Sequence, residues 1–162
     1  MDLRLYHNSH EFYYRSSFGA VPSGSRLILR LRAGGSDARN CRARIRLWQS
    51  NVGESFVPMT YQDGIFTGCV TMPPKGCLVW YYFIVDDGHE TVYYGNNYDR
   101  LGGEGAKYPE VPPAYQVTVY DKDAHTPDWF KHAIVYQIFP DRFRHGTHTT
   151  GRLYGKKGAV IH

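Results

Sequence analysis

Asp141 and Arg142 follow an apolar run, Ala133 to Phe139, that is closed by Pro140. Val, Ile, Tyr and Phe make up the run, the composition of a strand buried on both faces. A buried parallel strand that delivers charged side chains at its C-terminal end is how a (β/α)8 barrel opens, and barrel chemistry sits at that end. Asp141 and Arg142 could shape such a pocket or close the strand end as an ion pair. Trp48, Tyr61, Trp80 and Tyr94 read first as core or interface packing, and otherwise as candidates for a platform that stacks on sugar C–H surfaces. Asp86 and Asp87 are adjacent, so their side chains diverge, and with Gly88 they read as a hairpin turn. His145 and His148 could share a metal only on a helix, which Gly146 and Thr147 disfavour. Gly103 to Lys107 suggests a phosphate loop but lacks the Gly-Lys-Ser/Thr ending.

The elements that position these residues are mostly strands. Leu27, Leu29 and Leu31 alternate with Arg26, Arg30 and Arg32, and Ala43, Ile45 and Leu47 alternate with Arg42, Arg44 and Arg46. Period-two alternation predicts half-buried strands of an antiparallel sheet. Phe12-Tyr13-Tyr14 reads as an edge strand. Asp63-Gly64 between Phe56–Tyr61 and Ile65–Met72 predicts a hairpin. Leu78 to Val85 is apolar on both faces, so it must be covered twice, once by a sandwich core and once by a barrel or a partner subunit. Residues 95 to 114 carry Gly and Pro and read as a long loop, with Tyr115 to Tyr120 as the last strand. Regular short strands without an amphipathic helix predict an all-β, immunoglobulin-like sandwich. Thr126-Pro127-Asp128 reads as a turn or helix start.

Trp129 followed by Val135-Tyr136-Gln137-Ile138-Phe139-Pro140-Asp141-Arg142-Phe143 resembles the first barrel strand of the alpha-amylase family, glycoside hydrolase family thirteen. Within it, the likeness is to the neopullulanase, cyclomaltodextrinase and maltogenic amylase branch. Leu27 to Arg32, Met59, Asp63, Phe66, Tyr81-Tyr82-Phe83, Tyr93-Tyr94-Gly95 and Tyr115 to Tyr120 resemble the N-terminal domain of that branch. The resemblance implies a sandwich domain over 1–120, a linker over 121–128 and the start of a (β/α)8 barrel over 129–162. It implies hydrolysis of α-1,4 and α-1,6 glucosidic bonds in a full-length enzyme by the retaining mechanism, which needs two carboxyl groups about 5 Å apart. The family's carboxylates lie on later barrel strands, so no catalytic residue is assigned here and the chain alone is expected to be inactive. Tyr136, Gln137, Asp141 and Arg142 match the motif near the active-site end.

The implied partners are maltooligosaccharides or other alpha-glucans, and a second copy of the chain through the sandwich. Two rival readings are a stand-alone starch-binding module and a domain for subunit assembly only. Related enzymes often carry a calcium loop after this strand. Here Arg144 to Thr150 supplies only hydroxyls and histidines, poor calcium ligands, so no cofactor or metal is expected in this chain and calcium only in a full enzyme.

Composition fits these expectations: 42% hydrophobic, with 14 tyrosines raising the aromatic share to 15%. The net charge of +4 comes with no nucleic-acid-binding motif, so no nucleic-acid partner is expected. Residues 1 to 20 hold no apolar signal region and no window reaches the ~18 apolar residues of a membrane span. Cys41, Cys69 and Cys77 have no metal-site spacing and read as reduced core thiols of a cytoplasmic protein, with Cys69 facing Cys77 across neighbouring strands as the alternative.

Overall fold

Period-two alternation builds most of the chain into strands. The computed structural model describes residues 2–139, and eleven strands run through them in order. These are β1 (Arg4–Tyr6), β2 (Val21–Pro22), β3 (Arg26–Gly34), β4 (Arg42–Gln49), β5 (Gly53–Pro58), β6 (Thr60–Gln62), β7 (Ile65–Thr71), β8 (Cys77–Asp86), β9 (Thr91–Gly95), β10 (Ala106–Tyr108) and β11 (Tyr115–Tyr120). A four-residue helix, α1 (Asp128–Lys131), follows. The strands form two sheets packed as an all-β, immunoglobulin-like sandwich. The smaller sheet has the order β1-β3-β7-β6.

In the larger sheet, β8 is the centre. Along one edge β4 pairs with it from Arg42↔Asp86 to Gln49↔Val79, and β5 pairs with β4 beyond. The other edge is shared: β11 takes Cys77 to Tyr81 and β9 takes Phe83 to Asp86. The parallel pair β2–β11 and the antiparallel pair β9–β10 complete the sheet.

The leucines of β3 and Phe66 and Val70 of β7 face Ala43, Ile45, Val79, Tyr81, Phe83, Val85, Tyr115 and Val117 across the core. Gly68 lets the sheets close: a Cβ there would stand 2.5 Å from Ile45 Cδ1. The β6–β7 turn has the backbone that Asp-Gly favours, with φ of 48° at Asp63 and 83° at Gly64.

Four expectations change. The stretch 56–61 is two strands, because the chain leaves the larger sheet after Pro58, paired with Arg44, and enters the smaller at Thr60, paired with Thr67. Phe12 to Tyr14 is a turn; strand-like contact begins at Arg15, bridged to Leu29. Residues 95–114 include β10, an edge strand too short to show alternation. The outer face of β8 is largely covered from within its own sheet. Tyr82 and Ile84 are each 5% exposed; the Arg46 guanidinium lies 5.1 Å over the Tyr82 ring and Tyr93 meets its edge. Arginine stems can shield apolar neighbours while their heads stay wet, so this strand needs no second layer over Tyr82.

Contacts divide the chain into two units, Met1–Ala124 and His125–His162. In the second, Pro127 precedes α1, whose Lys131 and Asp128 pair at 2.7 Å without a side-chain N-cap. Ala133 to Phe139 holds no strand in this structure, and Ile134, Val135, Tyr136, Ile138 and Phe139 are exposed. A parallel strand forms only against neighbours that accept its backbone hydrogen bonds, and no strand among the described residues pairs with this run. Asp141, Arg142, His145, His148 and the calcium-loop residues lie outside the described residues.

Candidate functional site

Register assembles one row on the outer face of the larger sheet. Trp48 stands directly opposite Trp80, Trp80 opposite Gln116, and Glu54 opposite Trp48, so four strands contribute one side chain each. Directly opposed residues share a face. The two indole rings are 5.1 Å apart and tilted by 58°, both half-buried. Beside them Arg46 is held by Glu54, with contacts of 2.7 Å from Nε and 2.5 Å from Nη2 to one carboxylate oxygen. The arginine is thereby fixed over Tyr82 and the platform has a charged rim.

On the Gln116 side of Trp80 the surface drops into a cleft of about 780 Å3. Its walls are the segment from Ser9 to Ala20 and the loop from Asn96 to Gly102. That loop is ordered by Asn96, whose Oδ1 accepts from the backbone N–H groups of Asn97 and Gly102 at 3.0 and 3.1 Å. Arg15 lines the cleft and is 7% exposed. It donates from Nη2 to the Gly19 carbonyl at 2.7 Å and from Nη1 to the Gln116 carbonyl at 3.3 Å, and its Nε finds no partner. No carboxylate is among the lining residues.

Behind this wall sits His7, fully buried against Tyr14, Tyr81, Phe83 and Tyr115. Its Nδ1 lies 2.7 Å from the Arg30 carbonyl, which can only accept, so Nδ1 carries the proton and Nε2 accepts from the Tyr81 hydroxyl at 3.0 Å. Burial lowers the His7 pKa to about 4, against the opposing pull of the Arg30 carbonyl. Burial pushes the Tyr81 hydroxyl up, with the Arg15 guanidinium opposing. The group is a neutral structural network that sets the cleft's back wall.

Of the four aromatic candidates, the structure brings together Trp48 and Trp80. Tyr61 lies on β6 in the other sheet, its ring 4.8 Å from Phe66 and packed against the core. Tyr94 is corrected: at 2% exposure, with its hydroxyl donating to the His7 carbonyl, it offers no ring face to a ligand. Tyr136 and Gln137 are exposed in irregular chain. Sequence reading missed Arg15, Phe18, Asn96 and Gln116. Phe18 and Asn96 lie in loops, and only the strand register tells that Gln116 neighbours a tryptophan. Among the described residues, no group of three or more His, Cys, Asp or Glu side chains could hold a metal ion. No helix there is long and apolar enough to cross a membrane. None of the three cysteines is in a disulfide; Cys41 is a buried thiol, but Cys69 is exposed, because it falls on the outward face of β7, and is no core residue.

No family model matches the chain. Curated proteins do. It is 39% identical over 156 residues to an amylopullulanase of Thermoanaerobacterium thermosulfurigenes, a match covering 88% of this chain and 8% of the relative. An amylopullulanase of Thermoanaerobacterium saccharolyticum is 39% identical over 152 residues, with 88% and 12% covered. One from Thermoanaerobacter thermohydrosulfuricus is 35% identical over 166 residues, with 94% and 10% covered. Along most of its length this chain is thus similar to a segment of amylopullulanases, and it spans about a tenth of the length of the curated relatives it matches.

Proposed function

We propose that this chain is part of an alpha-glucan-active glycoside hydrolase of the alpha-amylase family, and that its sandwich holds glucan through Trp48 and Trp80. The observation that carries the reading is the 35–39% identity to amylopullulanases over nearly the whole chain. The opposed indoles add a physical reason, since ring faces pack on sugar C–H surfaces while Glu54 and Gln116 offer hydrogen bonds at the edges. Cleavage belongs to the whole protein, and no carboxylate pair in this chain is assigned to it. The neopullulanase-like branch is the finer placement we favour, on the Val135 to Phe143 motif.

Native electrophoresis in gels containing amylopectin tests the binding role. The chain should be retarded, Trp48→Ala should run freely, and the purified chain should release no reducing sugar from starch or pullulan. A folded chain that runs unretarded would remove the glucan-holding role; hydrolysis by the chain itself would remove its dependence on the rest of the protein.

A further inference from the structure

The cleft beyond Trp80 has a lining that the tryptophan pair alone does not account for. At about 780 Å3 it falls within the size range of small-ligand sites. Phe18 and Leu101 stand in its wall 66% and 79% exposed, apolar surface that gains from being covered. Gln116, Thr118 and Asn96 add polar edges to the same space. A ligand that is apolar on its faces and rich in hydroxyls at its rim matches that alternation. The Arg15 guanidinium in the wall is itself buried, donating to the Gly19 and Gln116 carbonyls with its Nε enclosed, and no carboxylate joins the lining. With Arg15 engaged by those carbonyls, the exposed Arg100 is the guanidinium that faces a ligand, and its donors can be met by sugar hydroxyls or by an anion, two outcomes that phosphate competition separates.

We infer that this cleft is a second alpha-glucan subsite, joined to the tryptophan platform through Trp80, which belongs to both. Trp48, Trp80 and Gln116 sit on three adjacent strands, a path of roughly 10 Å at ordinary strand spacing. One chain of glucose units therefore lies across the row and continues between Phe18 and Leu101. The inference rests on the glucan-binding reading above and adds where the bound chain goes.

The test is titration calorimetry of the full chain with maltoheptaose, using Phe18→Ala, Leu101→Ala and Gln116→Ala, all at exposed positions, beside Trp48→Ala. Thermal melts confirm folding, and Trp80 is left intact because its ring also packs in the sheet. The three cleft variants should each weaken binding about fivefold or more, the size of one lost stacking or hydrogen-bonding contact, with melts unchanged. Inorganic phosphate at millimolar concentration should not compete. If the cleft variants bind like the parent while Trp48→Ala does not, the inference falls and the platform stands. If phosphate displaces the sugar, the cleft is an anion site and the inference falls. If the folded parent binds no maltoheptaose, the glucan-binding reading falls with it.

Discussion

His7 is a titratable group held where only its neutral form fits. An unfolded histidine protonates near its ordinary 6.5, whereas His7 in the fold protonates near pH 4. Between these values the unfolded chain binds more protons, so stability rises with pH across the window and is lost as pH falls through it. At about 1.4 kcal/mol per pKa unit the loss amounts to roughly 3 kcal/mol on going from pH 7 to below pH 4. Urea denaturation at pH 7 and pH 4.5 should show it, and His7→Gln, destabilised at both, should show a shallower dependence on pH over that interval. Equal slopes for the two would mean that His7 protonates without cost. Nothing in Leu5-Tyr6-His7-Asn8 reveals this burial. The imidazole is enclosed by Tyr81, Phe83 and Tyr115, far along the chain, and a local reading cannot see such partners. Tyr94 failed as a stacking residue for the same reason: its aromatic type was legible, its direction was not.

Strands declare themselves where one face is wet. The Leu/Arg alternation of β3 and the Ala-Ile-Leu/Arg alternation of β4 predicted both strands and both faces, and Asp63-Gly64 predicted its hairpin. The sheet switch at Pro58–Thr60 is marked in the sequence by Pro58 itself, which cannot donate to a ladder and ends β5; the continuous reading of 56–61 passes over that signal. In β8, apolarity on both faces does not call for another layer over Tyr82, because cross-strand arginine and tyrosine supply the cover there. The pairing of Trp48 with Trp80 depends on the register of two strands that are not consecutive, which composition does not encode. Where the two sheets touch, Gly68 gives a direct check. Gly68→Ala places a methyl 2.5 Å from Ile45 Cδ1 and 3.2 Å from Met59 Cγ, and overpacking of this kind costs about 1–3 kcal/mol. Ile45→Val removes Cδ1, so the double variant should recover part of the loss. Chemical denaturation of the four-member cycle measures the coupling; strict additivity would show that the sheets part freely at this point.

At the scale of the molecule, 2–124 carries the core and 125–139 carries exposed apolar side chains, including Ile134 at 96%. Cleavage needs chain that can leave its hydrogen bonds cheaply. Limited chymotrypsin digestion should therefore cut first after Trp129, Phe130 or Tyr136 and leave a resistant fragment that retains Tyr115 to Tyr120. Early cuts within β8 or β11, with the 129–139 segment surviving, would contradict that division.

Val21 pairs with Val119 in the parallel β2–β11 contact. The two sit near opposite ends of the domain's sequence, and β11 is also the strand that covers the first half of β8. During synthesis from the N-terminus, then, the domain has no closed state until its last strand leaves the ribosome. Contacts of such long sequence separation close late and slowly. Until then the edge of β8 from Cys77 to Tyr81 is open to any other strand, and it is in that interval that aggregation competes with folding.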